Sequence, residues 1–259
     1  MPLADKYIAG LFLPNVNKKD VRARVLTPVE AFNLSVALRS DAGDFYYSAW
    51  VSFLDALNGI NNGFYTWATV KLYYSVFYAF RTSLALNGIC TFHVSKSHYI
   101  VDAYPGKCPS SCIDHGTHKV VLKTFQRKNL AYGLLSQQID LTDAVDWLIS
   151  KRESANYGVP RFSEPECSGL FEFIADIGIR QTLNSYLAEA SPLYVFDPDH
   201  AMVAYPLRAL QLVGDHLRGS LPPTYVTDDE KRFLLARARD KSGSLTQLIT
   251  EIKRLALVH

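Results

Sequence analysis

A chain of 259 residues, 48% hydrophobic and 20% charged, can bury a full core as one large domain or two small ones. Lys+Arg 27 against Asp+Glu 25 leaves a formal net charge of +2, which excludes a strong overall field; any nucleic-acid binding then needs a local patch. Four cysteines do not suggest a disulfide scaffold, and the most apolar run, Phe64 to Phe80, is interrupted by Lys71.

At the N-terminus acidic Asp5 stands beside Lys6 with no long apolar stretch, so no secretory signal and no membrane span are expected, and the cytoplasm is the expected location. Residues 1–26 read as irregular, with "YIAGLFLP" and "VRARVL" as short strands or an apolar arm. Helical signals begin at "TPVE", a capping box with Thr27 as N-cap, Pro28 in the first turn and Glu30 reaching back. That helix is expected to end near Arg39. A second, "DFYYSAWVSFLDALNGI", is expected from Asp44 to near Leu57 and to stop at Asn58–Gly59.

The segment "GFYTWATVKLYYSVFYAFRTSLALNG" carries apolar or aromatic residues on nearly every face, so it should lie at the centre of a bundle. Its tyrosines, Tyr65, Tyr73, Tyr74 and Tyr78, read as packing residues, with base stacking as the alternative. Residues 89–117 read as a loop insertion. "HKVVLKTFQRKN" follows as an amphipathic helix, with Val121, Leu122 and Phe125 on one face and Lys119, Lys123 and Arg127 on another. "LTDAVDWLISKRESANYG" gives one more helix, with Thr142 as N-cap and Gly158 at its end.

Beyond Pro160, "SEPE" at 163–166 has the capping-box pattern and leads into "CSGLFEFIADIGIRQTLNSYLAEA". "DHAMVAYPLRALQLVGDHLRG", weakened by Pro206, "TDDEKRFLLARARD" and a last segment from Ser244 also read as helices. No solenoid repeat or low-complexity tract occurs. Strand signals are thin, and the fold class expected is all-α.

Three of these segments, "KLYYSVFYAFRTSLALNG", "GTHKVVLKTFQ" and "LISKRESANYG", carry a resemblance in pattern and order. Residues of roughly 64–158 resemble the HEPN superfamily: an aromatic-rich opening helix, a following helix, and a closing helix that holds a signature arginine. The resemblance implies a HEPN-like helical bundle over 64–160, including the insertion 89–117. Residues 1–63 would be an N-terminal arm and helices packing on it, and 161–259 a C-terminal helical extension.

Nuclease members of that superfamily are metal-independent RNases using Arg-x(4–6)-His, commonly as dimers, so a homo-oligomer is implied. In that chemistry the ribose 2′-OH attacks its own phosphate. Histidine suits the proton transfer, and arginine donates in a planar fork to the phosphate oxygens. Arg152 matches the arginine, but positions 157–159 are Tyr, Gly and Val where the histidine is expected. Asn156 shares the face of Arg152 one turn on but cannot usefully accept a proton. Tyr157, with a reference pKa of about 10, is a poor base at neutral pH.

The departure implies a degenerate, non-catalytic interaction module in an RNA-targeting, toxin–antitoxin or antiviral defence system, the alternative being an RNase with a non-standard base. Related branches pair with nucleotidyltransferase-like proteins, which makes such a partner and nucleotidylation of Tyr157 expectations of the resemblance. His115 or His118 could supply the missing base. A plain capped helix end, with Arg152 on the last carbonyls, is the structural alternative.

Two further patterns stand apart. Cys108, Cys112, His115 and His118 are zinc-ligand types within eleven residues, with His93, His98 and Asp114 nearby. Their C-x3-C-x2-H-x2-H spacing fits no standard finger, so no cofactor is expected, with zinc held open. Lys119, Lys123, Arg127 and Lys128 could hold an RNA backbone close to Arg152, or form the solvated side of their helix. A second Arg-x4-His, Arg254 to His259, falls at the chain end and is set aside.

Overall fold

The computed structural model describes residues 1–12, 16–114, 116–128, 130, 133–158, 160–189, 191–220 and 225–254. The N-terminal stretch folds as two short helices, α1 (Leu3–Ala9) and α2 (Lys18–Ala23), not as the strands suggested by "YIAGLFLP" and "VRARVL". Asn17 caps α2 by accepting from the Lys19 and Asp20 N–H groups. Next comes α3 (Pro28–Asn61), which starts at the capping box read from "TPVE": the Glu30 N–H donates to Thr27 Oγ1 at 3.3 Å, and the Thr27 N–H to Glu30 Oε2 at 2.9 Å.

This helix runs unbroken through Ser40–Gly43, so the two helices expected here are one. The residues that looked like a break serve tertiary contacts. Asp41, buried, accepts from the Leu3 and Ala4 N–H groups at 2.7 and 2.8 Å and so caps α1 from another element. Gly43 lets the Tyr225 side chain approach; a Cβ there would stand 3.0 Å from Tyr225 Cβ.

The central helix α4 (Tyr65–Leu86) is flanked by α3, by α5 (Thr117–Arg127), by α6 (Ala144–Tyr157) and by α10 (Ala201–Arg218). That surround explains why its sequence is apolar on nearly every face. Between positions 67 and 85 only Trp67, Lys71, Tyr74, Tyr78 and Arg81 are not fully buried. Their alternating spacing of four and three residues makes one stripe along the helix. Lys71 pairs with Asp55 at 2.7 Å, and Arg81 lies over the Phe45 ring at 3.9 Å.

Residues 89–117 are not a plain loop. Strands β1 (Ile89–Val94) and β2 (Ser97–Asp102) form an antiparallel hairpin, with β3 (Ser110–Ser111) added beside β2. Alternate residues Cys90, Phe92, Tyr99 and Val101 face a second core shared with α1, α2 and the first half of α3. Each strand has only six residues, too few for the alternation to stand out from a loop by sequence.

The pair β4 (Gln138–Ile139) and β5 (Thr142–Asp143) leads into α6. The N-cap of α6 is Asp143, whose Oδ1 accepts from the Val145 N–H at 3.0 Å; Thr142 lies in the strand before it. The "SEPE" box opens no helix. Glu164 instead reaches across to α4, accepting from the Thr66 N–H at 2.7 Å and the Thr66 hydroxyl at 2.9 Å. Helix begins later, as a 3-10 turn (Gly169–Phe171), α7 (Glu172–Ile177) and α8 (Ile179–Ala188), broken at Gly178 with φ +85°.

A short α9 (Leu193–Phe196) precedes α10, which continues through Pro206 because both flanks of that residue are buried against α3 and α4. The chain then forms α11 (Asp228–Arg237), β6 (Arg239–Asp240), β7 (Gly243–Ser244) and α12 (Thr246–Arg254). Helices make up 64% of the structure, so the fold is largely α, with three small antiparallel sheets among the described residues where an all-α chain was expected. One core cluster runs from Tyr46 to Ile252 and draws on all three segments into which the resemblance divides the chain. Among the described residues no helix is long and apolar enough to cross a membrane.

Candidate functional site

Helices α5 and α6 lie side by side in opposite directions, fixed by polar contacts. The Gln126 amide donates to Asp143 Oδ2 at 2.7 Å, and the Lys123 ammonium pairs with Asp146 at 2.8 Å. Continuing that register two turns along brings His118, in the first turn of α5, to the level of Arg152 on α6.

A set of rings from α4 surrounds the pair. His118 stacks on Phe77 with centroids 4.3 Å apart, meets Tyr74 edge-on at 5.2 Å, and holds Nδ1 3.2 Å from the Tyr73 hydroxyl. The Arg152 guanidinium carbon lies 5.7 Å from the ring centroids of both Tyr73 and Tyr157. Arg152 makes no ion pair among the described residues, and its Nε is shielded from solvent with no hydrogen-bond partner there. An unpaired buried donor costs about 1–3 kcal/mol.

Burial, then the positive charges of Arg152 and Arg81, push the His118 pKa below its ordinary value, so the imidazole is neutral at pH 7. Burial pushes the Tyr73 hydroxyl far above its ordinary value, partly opposed by Arg152, so it stays protonated. Gly116 begins α5 without a side-chain cap, and the first-turn N–H groups are therefore suited to an anion. The His118 imidazole, in the first turn of α5, and the Arg152 guanidinium, without an ion pair among the described residues, thus both border Tyr73. Together they can take a proton beside an oxyanion.

The other sequence candidates are placed as follows. Asn156 is half-buried and Tyr157 is exposed on the last turn of α6. In the basic stripe Lys123 pairs with Asp146, Arg127 with Asp114 at 2.6 Å and Lys128 with Asp102 at 2.8 Å, while Lys119 is exposed and makes no ion pair among the described residues. His115 and His259 lie outside the described residues.

Cys108 and Cys112 line a cavity of about 310 Å³ with Thr124, Arg127 and Lys128, whereas the His118 ring is packed on α4. His93 and His98 face each other across the hairpin with ring centroids 6.1 Å apart. Among the described residues no three His, Cys, Asp or Glu side chains are gathered as a metal site. Burial raises the Cys112 thiol to about 11.

Tyr73 and Tyr74, read from sequence as packing residues, do pack, and they also orient His118. Nothing local in the sequence marks a hydrogen bond between residues 45 positions apart. No family model, characterised protein or solved structure matches the chain.

Proposed function

We propose that this protein is a HEPN-like RNA-cleaving effector of a defence or toxin system, with Arg152 on the phosphate and His118 as the base that the α6 motif lacks. One observation carries the reading: His118 and Arg152, the latter without an ion pair among the described residues, both lie against Tyr73, although 34 positions separate them in sequence.

The chemistry balances within the RNA. The ribose 2′-oxygen bonds to phosphorus while the P–O5′ bond breaks, leaving a 2′,3′-cyclic phosphate and a 5′-hydroxyl. His118 Nε2 takes the 2′ proton, which requires the tautomer in which Nδ1–H donates to the Tyr73 oxygen. Tyr73 is then a positioning residue that keeps the lone pair on Nε2. The guanidinium of Arg152 and the first-turn N–H groups of α5 face the charge that builds on the phosphoryl oxygens. Solvent protonates the departing 5′-oxygen.

The test is cleavage of end-labelled RNA in EDTA by the wild type, Arg152→Ala and His118→Gln. Loss of Arg152 is expected to slow cleavage about 10²–10³-fold, and loss of His118 about 10²–10⁴-fold. A wild type that does not cut, or variants that cut as fast, would refute the reading.

A non-catalytic interaction module is the second reading, favoured by the ion pairs that occupy Lys123, Arg127 and Lys128. It keeps the bundle and its oligomer, takes a nucleotidyltransferase-like or other defence protein as partner, and leaves exposed Tyr157 open to modification. A stable complex without RNA cleavage would select it.

A further inference from the structure

Strands β2 and β3 and the last turns of α5 border the cavity of about 310 Å³, a volume in the range of small-molecule sites. Asp102 of β2, Cys108 and Cys112 on either side of β3, and Thr124, Arg127 and Lys128 at the end of α5 line it. Thr124 is 1% exposed, yet its hydroxyl oxygen has no hydrogen-bond partner among the described residues. Thr69 and Thr82, in the same setting on α4, bond the carbonyl four residues back. Thr124 leaves that bond unmade, and a buried hydroxyl without a partner is costly until a ligand meets it.

Both signs of charge stand beside this donor. Lys128 pairs with Asp102 at 2.8 Å and Arg127 with Asp114 at 2.6 Å, each through one N–H···O contact. Further hydrogens on each cation and one oxygen of each carboxylate therefore have no partner among the described residues. A ligand with its own ammonium and carboxylate can add to both pairs without displacing either. A plain anion instead meets Asp102, and a plain cation meets Arg127 and Lys128.

The two thiols differ. Cys108 is exposed, whereas Cys112 is half-buried, and burial raises its thiol to about 11, so it stays protonated at neutral pH. Attack on a disulfide therefore falls to Cys108.

We propose that this cavity takes a zwitterionic low-molecular-weight disulfide, of the amino-acid or short-peptide kind, and that Cys108 forms a mixed disulfide with it. The Cys108 sulfur gives its proton to solvent and bonds to one sulfur of the ligand. The ligand S–S bond breaks, and its other half leaves as a thiolate, so the protein thiol is oxidised as the ligand is reduced. The half that stays keeps its ammonium toward Asp102 and its carboxylate toward Arg127 and Lys128, and the Thr124 hydroxyl donates to one of its oxygens. The site does not draw on the RNA reading.

Glutathione disulfide is the probe and neutral hydroxyethyl disulfide the control, each added to the full chain at neutral pH and followed by intact mass and peptide mapping. The wild type should gain one glutathionyl group, on Cys108; Cys108→Ser should gain none and Cys112→Ser should still gain one. The Arg127→Gln, Lys128→Gln double variant should react with glutathione disulfide about tenfold more slowly, and Thr124→Val about fivefold, with the neutral reagent's rate unchanged in both. Circular dichroism of each variant checks that the fold is intact.

The neutral reagent reports the reactivity of the thiol alone, so a loss shared by both reagents would overturn the binding role of these side chains. Variants that react with glutathione disulfide as fast as the wild type would also overturn the site and leave Cys108 an ordinary exposed thiol. So would an adduct on another cysteine, or an internal Cys108–Cys112 bond formed with no adduct.

Discussion

Gly214→Ala should destabilise the protein even though alanine is the better helix former. An added Cβ on Gly214 in α10 would lie 2.1 Å from the Tyr46 hydroxyl oxygen and 3.0 Å from Tyr46 Cζ. The first distance is more than about 1 Å inside ordinary contact. Tyr46 on α3 cannot easily yield, since it is fully buried and its hydroxyl donates to the Leu210 carbonyl at 2.8 Å.

Overpacking of this kind costs up to about 3 kcal/mol, against about 1 kcal/mol gained from helix propensity. A net loss of about 2 kcal/mol follows. Tyr46→Phe alone should cost about 0.5–1.5 kcal/mol for the hydrogen bond. It also removes the offending oxygen, so Gly214→Ala made in the Tyr46→Phe background should be close to neutral. The double-mutant cycle should therefore show about 2 kcal/mol of coupling, with the double variant more stable than the sum of the singles. Urea denaturation of the four proteins at one pH, compared through midpoints at unchanged m, measures it. Additive single effects, or a Gly214→Ala variant more stable than wild type, would refute this account of how α3 meets α10.

Arg152→Gln should raise the His118 pKa, because the Arg152 charge is the second cause, after burial, of its depression. An NMR titration of the imidazole checks this, and an unmoved pKa would separate the two residues. Because the folded pKa lies below the unfolded value of about 6.5, the unfolded chain binds the extra proton between the two. His118 thus contributes stability that is whole above about pH 6.5 and is lost as pH falls from there through the folded pKa; in Arg152→Gln that loss should be smaller and complete at higher pH. Asp41→Asn should release α1, since Leu3 and Ala4 use separate carboxylate oxygens and an amide keeps one acceptor at most. A loss of about 0.5–2 kcal/mol is expected, with faster hydrogen exchange in α1; unchanged protection there would show that the cap does not hold the helix.

What the sequence by itself determined here is what nearest neighbours along the chain control. The capping box at Thr27 is formed as its spacing requires, because donor and acceptor lie within one turn. The all-round apolar pattern of residues 65–86 placed α4 at the centre, and the alternation in "HKVVLKTFQR" gave α5 its buried face. Arg152 was legible as a charged residue in the last turns of a helix.

Tertiary structure alone decided where a polar or small residue finds its use at a distance. Asp41 and Gly43 read as a break but join α3 to α1 and to Tyr225, and the "SEPE" segment reads as a helix start but opens none, its Glu164 serving Thr66 on α4. The hairpin at 89–102 was hidden because six-residue strands leave too few alternations to outweigh the loop composition around them. The same holds at the candidate site. His118 and its neighbours Tyr73 and Arg152 come from three different helices, and a hydrogen bond or a charge acts through space, so their meeting exists only once α5 has packed antiparallel to α6 against α4.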